Sequence, residues 1–577
     1  MIFKMALSES VGEQDFEADH LWNLFSKQVS NDPDKTAIIK LWKPEKDSAP
    51  EHKPTTLTFR QLHGAATTMA VVLNEHGVGK GDFVNVCMEN RIEYVVAIWA
   101  VFRLGAILVP ISLTMLDAPK ELEHMLKAAR PAAMIVNSVD AAALISELFC
   151  GKQPKHQNGL RDQLGGFGIL TPTDGQYTPY SAWPFTCEET RTGNRGRLPE
   201  SVLSPDDDGL LMFTSGSTSL PKGCLHTHRS FAWGSHSFSK LQHMGPNSRM
   251  VAHRALFHAF ALGNAIGMTL SGGALVLPTS RDFEPGATIH AITEGQCTHM
   301  IGPPAMITAL VEHPNLPTGG LPSLRSIELG GNLVAPAVIA TCKQRLKAQI
   351  ATASYGMTET CGLLAHDQDK LDDTFGTGDQ VAVPVGKPIP GISVKICDPD
   401  SDNAEVVQRG TDGELHVTGE VTYRKYIGGT GDPTYLDSDG RRWIKTGDQA
   451  NMDSDGNITI VGRYKDVIIR EADNLVPARI AGTIEQLDSV DESMVVPIPN
   501  GPAGQLPVAV VKHKLEAAAL DNEEIQYHVA TSMGEEQTPV RVLSLSNDLS
   551  MDSWPTNGAG KPDKKALTEA VRQHLTV

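Results

Sequence analysis

The sequence predicts an α/β protein with a large N-terminal part, a small β-rich unit and a small α+β unit at the C-terminus. Strand patterns alternate with helix patterns over residues 57–136, and again from about residue 209 to residue 367. This alternation is typical of parallel sheets covered by helices on both faces. From Pro384 onward, short strand patterns separated by turn residues replace it, and the pattern changes once more near Lys465.

The first alternating stretch contains the clearest elements. LTFRQLHGAATTMAVVLNEHG (57–77) has apolar residues at helical spacing and ends at a glycine, and EYVVAIWAVFRLG (93–105) predicts a second helix. The short apolar runs DFVNVCM, AILVPI and AAMIVN predict buried strands. MLDAPKELEHMLKAARP (115–131) predicts a capped helix between the last two of them.

The later regions are less regular. Residues 151–208 are rich in Gly, Pro and polar residues, so we expect a long irregular excursion on the surface. Order returns with the apolar run GLLMF (209–213). From Lys465 to the C-terminus we expect one strand (DVIIR), helical runs and Pro/Gly turns.

Composition and charge disfavour several classes of protein. The chain has 577 residues, of which 41% are hydrophobic, and its net charge of −18 disfavours a nucleic-acid partner or an anionic membrane surface. Eight cysteines are scattered without a C-x-x-C pair, so reduced thiols in a cytoplasmic protein are the simplest interpretation. No stretch approaches the ~18 apolar residues of a membrane span, and no signal peptide is recognisable.

The segment LLMFTSGSTSLPKGCLHTHRS (210–230) places five hydroxyl side chains, a proline and Lys222 directly after an apolar run. Hydroxyls, backbone N–H groups and a lysine can surround a polyphosphate. The spacing differs from the common phosphate loop G-x-x-x-x-G-K-[ST], and Pro221 and Gly223 argue against a helix that begins at Lys222. This segment alone does not distinguish between a phosphate-binding loop and a Ser/Thr/Gly surface turn.

Four further segments carry residues suited to a nucleotide site. A glycine pair follows a strand pattern in IELGGNLVAP (327–336), and ATASYGMTET (351–360) combines an aromatic residue, a glycine and a Thr-Glu pair. RRWIKTGDQANMDSDGNITIVGRYKDVIIR (441–470) contains T-G-D and G-R-Y-K-D, and WPTNGAGKPDKKAL (554–567) contains a lysine after Gly-Ala-Gly. Taken singly, each residue has an ordinary interpretation as a turn former, a core aromatic residue or a solvated charge.

Together with the loop at 210–230, these segments in this order resemble the adenylate-forming superfamily, in its AMP-dependent acyl/aryl-CoA synthetase branch, over about residues 57–567. The resemblance implies ATP-dependent activation of a carboxylic acid to an acyl-adenylate with release of pyrophosphate, then transfer to CoA. It implies an AMP-binding N-terminal domain over residues 1–464, with a β-rich subdomain at about 384–464. A mobile C-terminal domain would cover residues 465–577. ATP, Mg²⁺ and CoA would be required.

The resemblance also assigns roles to individual residues. The phosphate loop would consist of Thr214, Ser215, Gly216, Ser217, Thr218 and Lys222. The adenine pocket would consist of Gly330, Gly331, Asn332, Tyr355 and Gly356. Thr358 would contact the α-phosphate, Glu359 would hold Mg²⁺, and Asp448 and Arg463 would bind the ribose. Lys561 would reach the carboxylate and the α-phosphate, and Lys465 would be the hinge between the domains.

The acid pocket is expected around ALFHAFALGNAIGMTL (255–270). His258 resembles the family's L-F-H residue and would act at the acid, although an ordinary buried histidine fits the same pattern. The pocket would be lined by Phe260, Leu262, Asn264, Ile301, Pro303 and Met357. Because residues 255–270 include no acid, a buried α-ammonium would have no partner there. An apolar acyl or aryl acid is therefore favoured over an amino acid.

Some positions depart from the family pattern. They are Ser219, Asn557, Ala472, Arg479 and Ala481, and the last three lie in the segment that borders the pantetheine channel. An amine, or the thiol of a carrier protein acting in trans, is therefore an alternative acceptor to CoA. A catalytically inactive nucleotide-binding homologue is disfavoured because the predicted charged residues are all present, namely Lys222, Glu359, Asp448, Arg463 and Lys561.

Overall fold

The computed structural model describes residues 7–12, 16–41, 54–150, 168–172, 185–187, 198, 202–214, 220–280, 283–366, 382–401, 403–429, 431–470, 473–500, 505–514, 521–556 and 562–576. Their strands, in chain order, are β1 Glu9–Val11, β2 Thr36–Lys40, β3 Thr55–Thr58, β4 Phe83–Cys87, β5 Ile107–Ile111, β6 Ala133–Val136, β7 Gly168–Pro172, β8 Phe185–Cys187, β9 Asp208–Thr214, β10 Lys222–Thr227, β11 Arg249–Val251, β12 Ala274–Leu277, β13 His299–Gly302, β14 Ser326–Leu329, β15 Ile350–Tyr355, β16 Ala365–His366, β17 Lys387–Pro388, β18 Ile392–Cys397, β19 Gly413–Gly419, β20 Lys425–Ile427, β21 Thr434–Leu436, β22 Arg442–Met452, β23 Ile458–Arg463, β24 Ile468–Arg470, β25 Asp473–Leu475, β26 Val490–Pro499, β27 Gln505–His513 and β28 Arg541–Ser544.

The α-helices of the same residues alternate with the strands over much of the N-terminal part. In chain order they are α1 Leu21–Asn31, α2 Phe59–Glu75, α3 Ile92–Leu104, α4 Pro119–Ala129, α5 Val139–Cys150, α6 His228–Leu241, α7 Ala259–Leu270, α8 Pro285–Gly295, α9 Pro304–Glu312, α10 Pro336–Gln344, α11 Pro477–Ile484, α12 Asn522–Met533 and α13 Lys564–Thr576. The helices and strands predicted over residues 57–136 are confirmed. The helix predicted at 115–131 is preceded by a separate 3-10 turn, Leu113–Asp117.

One large sheet has eight strands in the order β20-β10-β9-β5-β4-β6-β7-β8. The predicted strands β4, β5 and β6 pair in parallel, and β9 joins β5 in parallel. β10 then runs antiparallel to β9, with Lys222 opposite Thr214. Lys222 therefore begins a strand. The sequence argument against a helix that begins at Lys222 is confirmed.

The prediction of an irregular excursion over residues 151–208 is wrong at two places, where the chain forms strands. Gly168–Pro172 forms β7, which pairs in parallel with β6, and Phe185–Cys187 forms β8, which pairs with β7. Both strands are short and lie among Gly, Pro and polar residues, so their local pattern is weak. They extend the sheet because β6 offers a partner, a condition that local sequence does not express.

The second large sheet has nine strands in the order β17-β16-β15-β14-β13-β11-β12-β2-β3. Its centre, from β15 to β2, is parallel. Both large sheets contribute to one hydrophobic core together with α3, whose residues are apolar on nearly all sides. A helix of this kind is stable only when it is buried on all faces, and Gly105 ends it in the left-handed conformation.

The β-rich unit predicted from Pro384 is a six-stranded antiparallel sheet. Its order is β1-β18-β19-β22-β21, and β23 pairs with β22. The edge strand β1 comes from the N-terminus, where Glu9 pairs with Lys395. A pairing between such distant segments depends on the assembled fold and leaves no local pattern.

The C-terminal part has its own hydrophobic clusters, built from residues between 468 and 571. The prediction of a single strand here is wrong, because β26 and β27 form a long antiparallel pair and β28 adds to it in parallel. Pro497 opposes Pro507 within this pair. Prolines argue against a strand in a local pattern, which is why the sequence did not reveal it.

Candidate active site

Three predicted segments begin at one edge of the nine-stranded sheet. β13, β14 and β15 are parallel neighbours, with Gly302 opposite Leu329 and Leu329 opposite Ala353. Their carboxyl ends therefore lie side by side, and the loops that follow contain the predicted residues Pro303, Gly330, Gly331, Asn332, Gly356 and Met357. This edge is the usual ligand-binding position in open α/β sheets.

Glycine is needed at two of these positions. Gly331 has φ of +89°, a conformation that glycine adopts without strain. A Cβ on Gly356 would lie 2.3 Å from the carbonyl oxygen of Gly362, so no side chain fits there. Asn332, next to Gly331, is exposed. The backbone around Gly331 is therefore open to the close approach of a flat ligand.

Tyr355, Asp448 and Arg463 form one hydrogen-bonded group. The Tyr355 hydroxyl donates to Asp448 Oδ2, and Arg463 Nε lies 2.8 Å from Asp448 Oδ1. Asp448 and Arg463 are opposite residues on β22 and β23. Burial raises the pKa of Asp448, while Arg463 and the Tyr355 hydroxyl oppose that effect. The six-stranded sheet thus presents an anchored carboxyl group beside the end of β15.

Thr358 and Glu359 lie on a 3-10 turn that follows Tyr355 by a few residues. The Thr358 carbonyl accepts a hydrogen bond from His226 Nε2 at 2.8 Å, and the Glu359 carboxylate accepts one from the Tyr426 hydroxyl at 2.5 Å. Glu359 is only 8% exposed. Burial and the Glu359 carboxylate raise the pKa of Tyr426, so this tyrosine remains a donor. The turn is therefore held by β10 and β20 of the other large sheet.

Lys222 and Thr214 meet at the open end of the β9–β10 pair. Lys222 Nζ donates to the Gly431 carbonyl at 3.5 Å and lies 5.4 Å from the centre of the Tyr426 ring. Tyr426 therefore contacts both the predicted metal ligand and the predicted phosphate-binding lysine. The remaining predicted loop residues, Ser215, Gly216, Ser217 and Thr218, lie outside the described residues, as does the departure at Ser219.

The predicted hinge and the distal lysine belong to the C-terminal part. Lys465 is exposed on a short 3-10 turn between β23 and β24, two residues after Arg463. Partial desolvation and the neighbouring Arg463 guanidinium lower its pKa. Lys561, Asn557 and Ala472 lie outside the described residues, although Thr556 and Pro562 on either side of Lys561 form a β-bridge. Arg479, another departure, makes an ion pair of 3.0 Å with Asp412 of the β-rich unit.

The predicted acid-pocket residues cluster around α7. His258 precedes this helix, and its ring lies 4.1 Å from that of Phe257. Phe260 is the second residue of the helix and is partly buried. Leu262 and Ile301 are fully packed in the core. Asn264 is also fully buried; its amide donates to the Phe260 carbonyl, and its oxygen accepts from Gln242 at 2.5 Å.

Two groups escaped the sequence analysis. Tyr426 lies in RKYIGG, where nothing local distinguishes it from a strand aromatic residue. Glu328 lies on β14, two residues before Gly330, and is completely buried. Glu328 could have been recognised from the sequence, because an acid rarely occurs within an apolar run such as SIEL. This run also lies directly before the predicted ligand-binding glycine pair.

No group of three or more metal-ligating acid, histidine or cysteine side chains occurs among the described residues. Mg²⁺ commonly binds through one or two carboxylates together with substrate phosphates and water, and does not require a complete protein cage. Glu359 fits this pattern, since its carboxylate can supply an oxygen ligand to the metal, and both Glu359 and Lys222 contact Tyr426. No described helix is long and apolar enough to cross a membrane.

The pattern of a known family matches residues 25–427, and its description is "AMP-binding enzyme". The chain belongs to this family. The match confirms the adenylate-forming resemblance on the larger part of the chain, including the eight-stranded and nine-stranded sheets and the loop at 210–230.

Individual relatives extend the similarity to most of the chain. The acyl-CoA ligase SID4 of Ajellomyces capsulatus is 29% identical over 526 residues, which cover 89% of this chain and 86% of that protein. A feruloyl-CoA synthase of an Amycolatopsis species is 28% identical over 517 residues, covering 89% and 94%. The structure of ATP-bound MatB from Rhodopseudomonas palustris superposes with a TM-score of 0.75 at 22% identity, covering 96% and 99%. The predicted fold class is confirmed.

Proposed function

We propose that the protein is an AMP-forming carboxylate–CoA ligase. It activates a carboxylic acid with ATP to an acyl-adenylate and then transfers the acyl group to CoA. The observation that carries the proposal is the turn from Tyr355 to Glu359. Its first residue is held by Asp448 of the six-stranded sheet, and its last by Tyr426 of the eight-stranded sheet.

In the first half-reaction, one oxygen of the substrate carboxylate attacks the α-phosphorus of ATP. The bond between that phosphorus and the bridging oxygen breaks, and pyrophosphate leaves with the electron pair. Negative charge gathers at the α-phosphate and the leaving group, so fixed donors and cations stabilise the transition state. Lys222 with the hydroxyl-rich loop would neutralise the outer phosphates, and Thr358 and Lys561 would stabilise the α-phosphate. Bound at Glu359, Mg²⁺ would add positive charge beside the phosphates.

Nucleoside binding would use the hydrogen-bonded group described above. Adenine would lie between the Tyr355 ring and the open backbone at Gly330 and Gly331, with Asn332 and Gly356 at its edges. Asp448 would accept hydrogen bonds from the ribose hydroxyls, because Arg463 pairs with its buried carboxyl group and opposes the rise in pKa that burial causes. Orientation of both reactants in this way lowers the barrier by removing translational freedom beforehand.

In the second half-reaction, the CoA sulfur attacks the acyl carbon and AMP leaves with the electrons of the cleaved C–O bond. His258, beside Phe257 at the start of α7, would lie near the acid carboxyl. Pivoting at Lys465 would move the C-terminal domain, residues 465–577, between the two steps. CoA is favoured over an amine or a carrier-protein thiol because the relatives named above are a CoA ligase and a CoA synthase.

The substrate would be a carboxylic acid with a largely apolar acyl or aryl body. Phe260, Pro303 and Met357 lie at the accessible side of the pocket. An α-ammonium would meet Phe260 without a carboxylate partner, which disfavours α-amino acids. The six cysteines whose side chains the structure describes are unpaired and buried, which supports the proposed cytoplasmic location.

The test is a pyrophosphate-release screen of carboxylic acids, run with ATP and Mg²⁺ in the presence and absence of CoA. We expect a burst of about one pyrophosphate per enzyme without CoA, and steady turnover with accumulation of AMP and acyl-CoA when CoA is added. If turnover appears only with a primary amine or a carrier protein, the acceptor is not CoA. If no acid releases pyrophosphate, the activity itself is excluded.

A further inference from the structure

A buried polar cluster lies directly beneath the proposed acid pocket. Its centre is Glu328, whose carboxyl accepts a hydrogen bond from Gln242 Nε2. The same amide group donates to Asn264 Oδ1 at 2.5 Å. Glu328 and Asn264 are completely buried, and Gln242 is 3% exposed. Three polar side chains without contact to solvent are costly unless their hydrogen bonds are satisfied.

The cluster has spare acceptor capacity. Oε1 of Glu328 and Oε1 of Gln242 are both buried, and neither receives a hydrogen bond of good geometry from the described residues. The nearest histidine nitrogen, Nε2 of His366, lies 4.0 Å from Glu328 Oε1. No arginine or lysine of the described residues pairs with Glu328 among its ion-pair contacts within 4.0 Å. Burial raises the pKa of Glu328 to about 8, and a substrate ammonium beside it would lower that pKa and favour the carboxylate.

The position of the cluster relates it to the acid. Gly330 directly follows β14, where its N–H still donates to the Gly302 carbonyl. It lies two residues after Glu328, so the two residues face the same side of the sheet. Asn264 follows Phe260 by one helical turn on α7 and donates to its carbonyl. A Cβ on Gly330 would lie 3.1 Å from the Ser354 hydroxyl and 3.5 Å from Cζ of Phe260. Phe260, Gly330 and Ser354 thus form an outer layer at the site.

The cluster forms an inner layer behind it. Asn264 lies one helical turn beyond Phe260 on α7, and Glu328 lies two residues before Gly330 along the extended chain. Each is therefore about 5–7 Å deeper than its partner in the outer layer. Ser354 connects the layers, because its side chain also faces the Glu328 carboxyl. An acyl chain that extended inward past the partly exposed Phe260 would approach Glu328 and Gln242 with its far end.

We propose that Glu328 and Gln242 form a hydrogen-bond-accepting floor of the acid pocket, which selects carboxylic acids carrying a hydroxyl or amino group at the end of the acyl chain remote from the carboxylate. The proposal rests on the function proposed above and deepens it. A remote donor group satisfies the acceptors that burial leaves unfilled, whereas a plain hydrocarbon end leaves them unsatisfied. Sites built to hydrogen-bond a substrate group reject the analogue that lacks it.

The experiment compares straight-chain acids in matched sets of equal length, unsubstituted, ω-hydroxylated and ω-aminated, by kcat/KM for pyrophosphate release. For the wild type we expect the best ω-hydroxy or ω-amino acid to exceed its unsubstituted partner by ~10-fold or more, the effect of one unsatisfied buried group. Glu328→Leu removes the acceptor and should reduce that ratio to about 1, with the loss on the ω-substituted acid mainly in KM. Glu328→Gln should keep the hydroxyl preference and lose the amino preference, because an amide accepts a hydrogen bond but cannot pair with an ammonium.

Ser326→Ala is the matched control. Ser326 is buried on the same strand and the same face as Glu328, two residues further from the site, so this variant should keep the wild-type ratio. A wild type that prefers unsubstituted acids at every length, or a Glu328→Leu variant that keeps the donor preference, would overturn the floor proposal while leaving the ligase function intact. Absence of pyrophosphate release with every acid would remove the ligase function, and the floor proposal with it.

Discussion

At the scale of single residues, the site depends on hydrogen bonds that hold charged side chains in fixed positions. Tyr426 is the clearest case, because its hydroxyl binds Glu359 while its ring lies beneath Lys222. Tyr426 is therefore the shared contact of the proposed metal ligand and the proposed phosphate-binding lysine. In the proposed function it would keep each of them available to a different part of the triphosphate.

Replacement of Tyr426 by Phe should therefore weaken adenylation without abolishing it. Loss of one hydrogen bond to a charged group costs about 1.5–3 kcal/mol, which corresponds to ~10-fold or more in rate. We expect a lower kcat for pyrophosphate release and a higher Mg²⁺ concentration at half-maximal rate. The measurement is a Mg²⁺ titration at saturating ATP.

Tyr423→Phe is the control for Tyr426→Phe. The Tyr423 ring contacts that of Tyr426 at a tilt, with the ring centres 4.6 Å apart, but the Tyr423 hydroxyl donates to Asp432 and not to Glu359. This variant should keep the wild-type Mg²⁺ dependence. If the Mg²⁺ concentration at half-maximal rate rose equally in both variants, Tyr426 would act through packing alone.

Lys561 should serve only the first half-reaction. Lys561→Ala removes one stabilising cation, so adenylation should fall by ~10²-fold or more. Transfer from a supplied acyl-adenylate to CoA should remain nearly intact. Rapid-quench measurement of each half-reaction provides the test, with Lys564→Ala, which loses only the ion pair to Asp466, as the control. Equal losses in both half-reactions would contradict the assignment.

At the scale of elements, the short connection between β23 and β24 is the critical segment. It contains the turn Tyr464–Asp466, and it links the six-stranded sheet to the C-terminal hydrophobic clusters. Arg463 at its start is tied to Asp448, so a pivot beyond Arg463 would leave the ribose-binding group undisturbed. Hinges of this kind need only a few residues that absorb a backbone change.

Lys465→Pro should impair acyl transfer far more than adenylate formation. Proline restricts φ to about −65° and thereby limits the backbone change at this position. Lys465→Ala is the control, since it removes the ammonium but keeps the backbone freedom. Stopped-flow traces of the two half-reactions should show a selective loss of transfer in the proline variant. A uniform effect in both steps, or none, would count against a hinge at Lys465.

At the scale of the whole molecule, contacts between distant segments hold the units together. The α1 segment packs against the start of α6 through His20 and His228, whose ring centres are 3.5 Å apart. Burial lowers the pKa of His20 to about 4 and lowers that of His228. The Arg479–Asp412 ion pair joins the C-terminal part to the β-rich unit.

The histidine pair makes stability sensitive to mild acid. The folded protein keeps both rings neutral, whereas in the unfolded chain they bind protons near pH 6.5. The contribution of their lowered pKa values to the free energy of unfolding is therefore complete above pH 6.5 and is lost as the pH falls from 6.5 towards 4. For His20 alone the loss is about 3 kcal/mol. His228→Phe should reduce this loss, because neither ring nitrogen of His228 has a hydrogen-bond partner among the described residues.

The measurement is the urea midpoint of unfolding at pH 7.5, 6.0 and 5.0, a series of conditions chosen around the reference pKa of ~6.5. The wild-type midpoint should fall along this series more steeply than that of His228→Phe. Parallel slopes would show that the pair does not control the acid sensitivity. His124→Phe is a suitable control, because His124 is a partly buried histidine outside this pair.

The sequence by itself determined the local elements and the list of chemical groups. Apolar spacing in residues 57–136 and the glycine after α3 specify structure within one segment, where backbone and side-chain preferences act over a few residues. The motif order was enough for the family, and the family match confirmed it. The short strands β7 and β8 and the proline-containing pair β26–β27 were missed, because their stability comes from neighbouring strands rather than from their own pattern.

Only the tertiary structure decided which groups meet. Glu328 and Gln242 are 86 residues apart, and Tyr426 and Glu359 are 67 apart, so no local spacing relates them. The prediction of a pocket without an acid considered only residues 255–270, whereas the structure brings Glu328 of β14 to Gln242, which also contacts Asn264 of α7. Hydrogen bonds of 2.5–3 Å require register between separate sheets, and that register is set by packing of the common core.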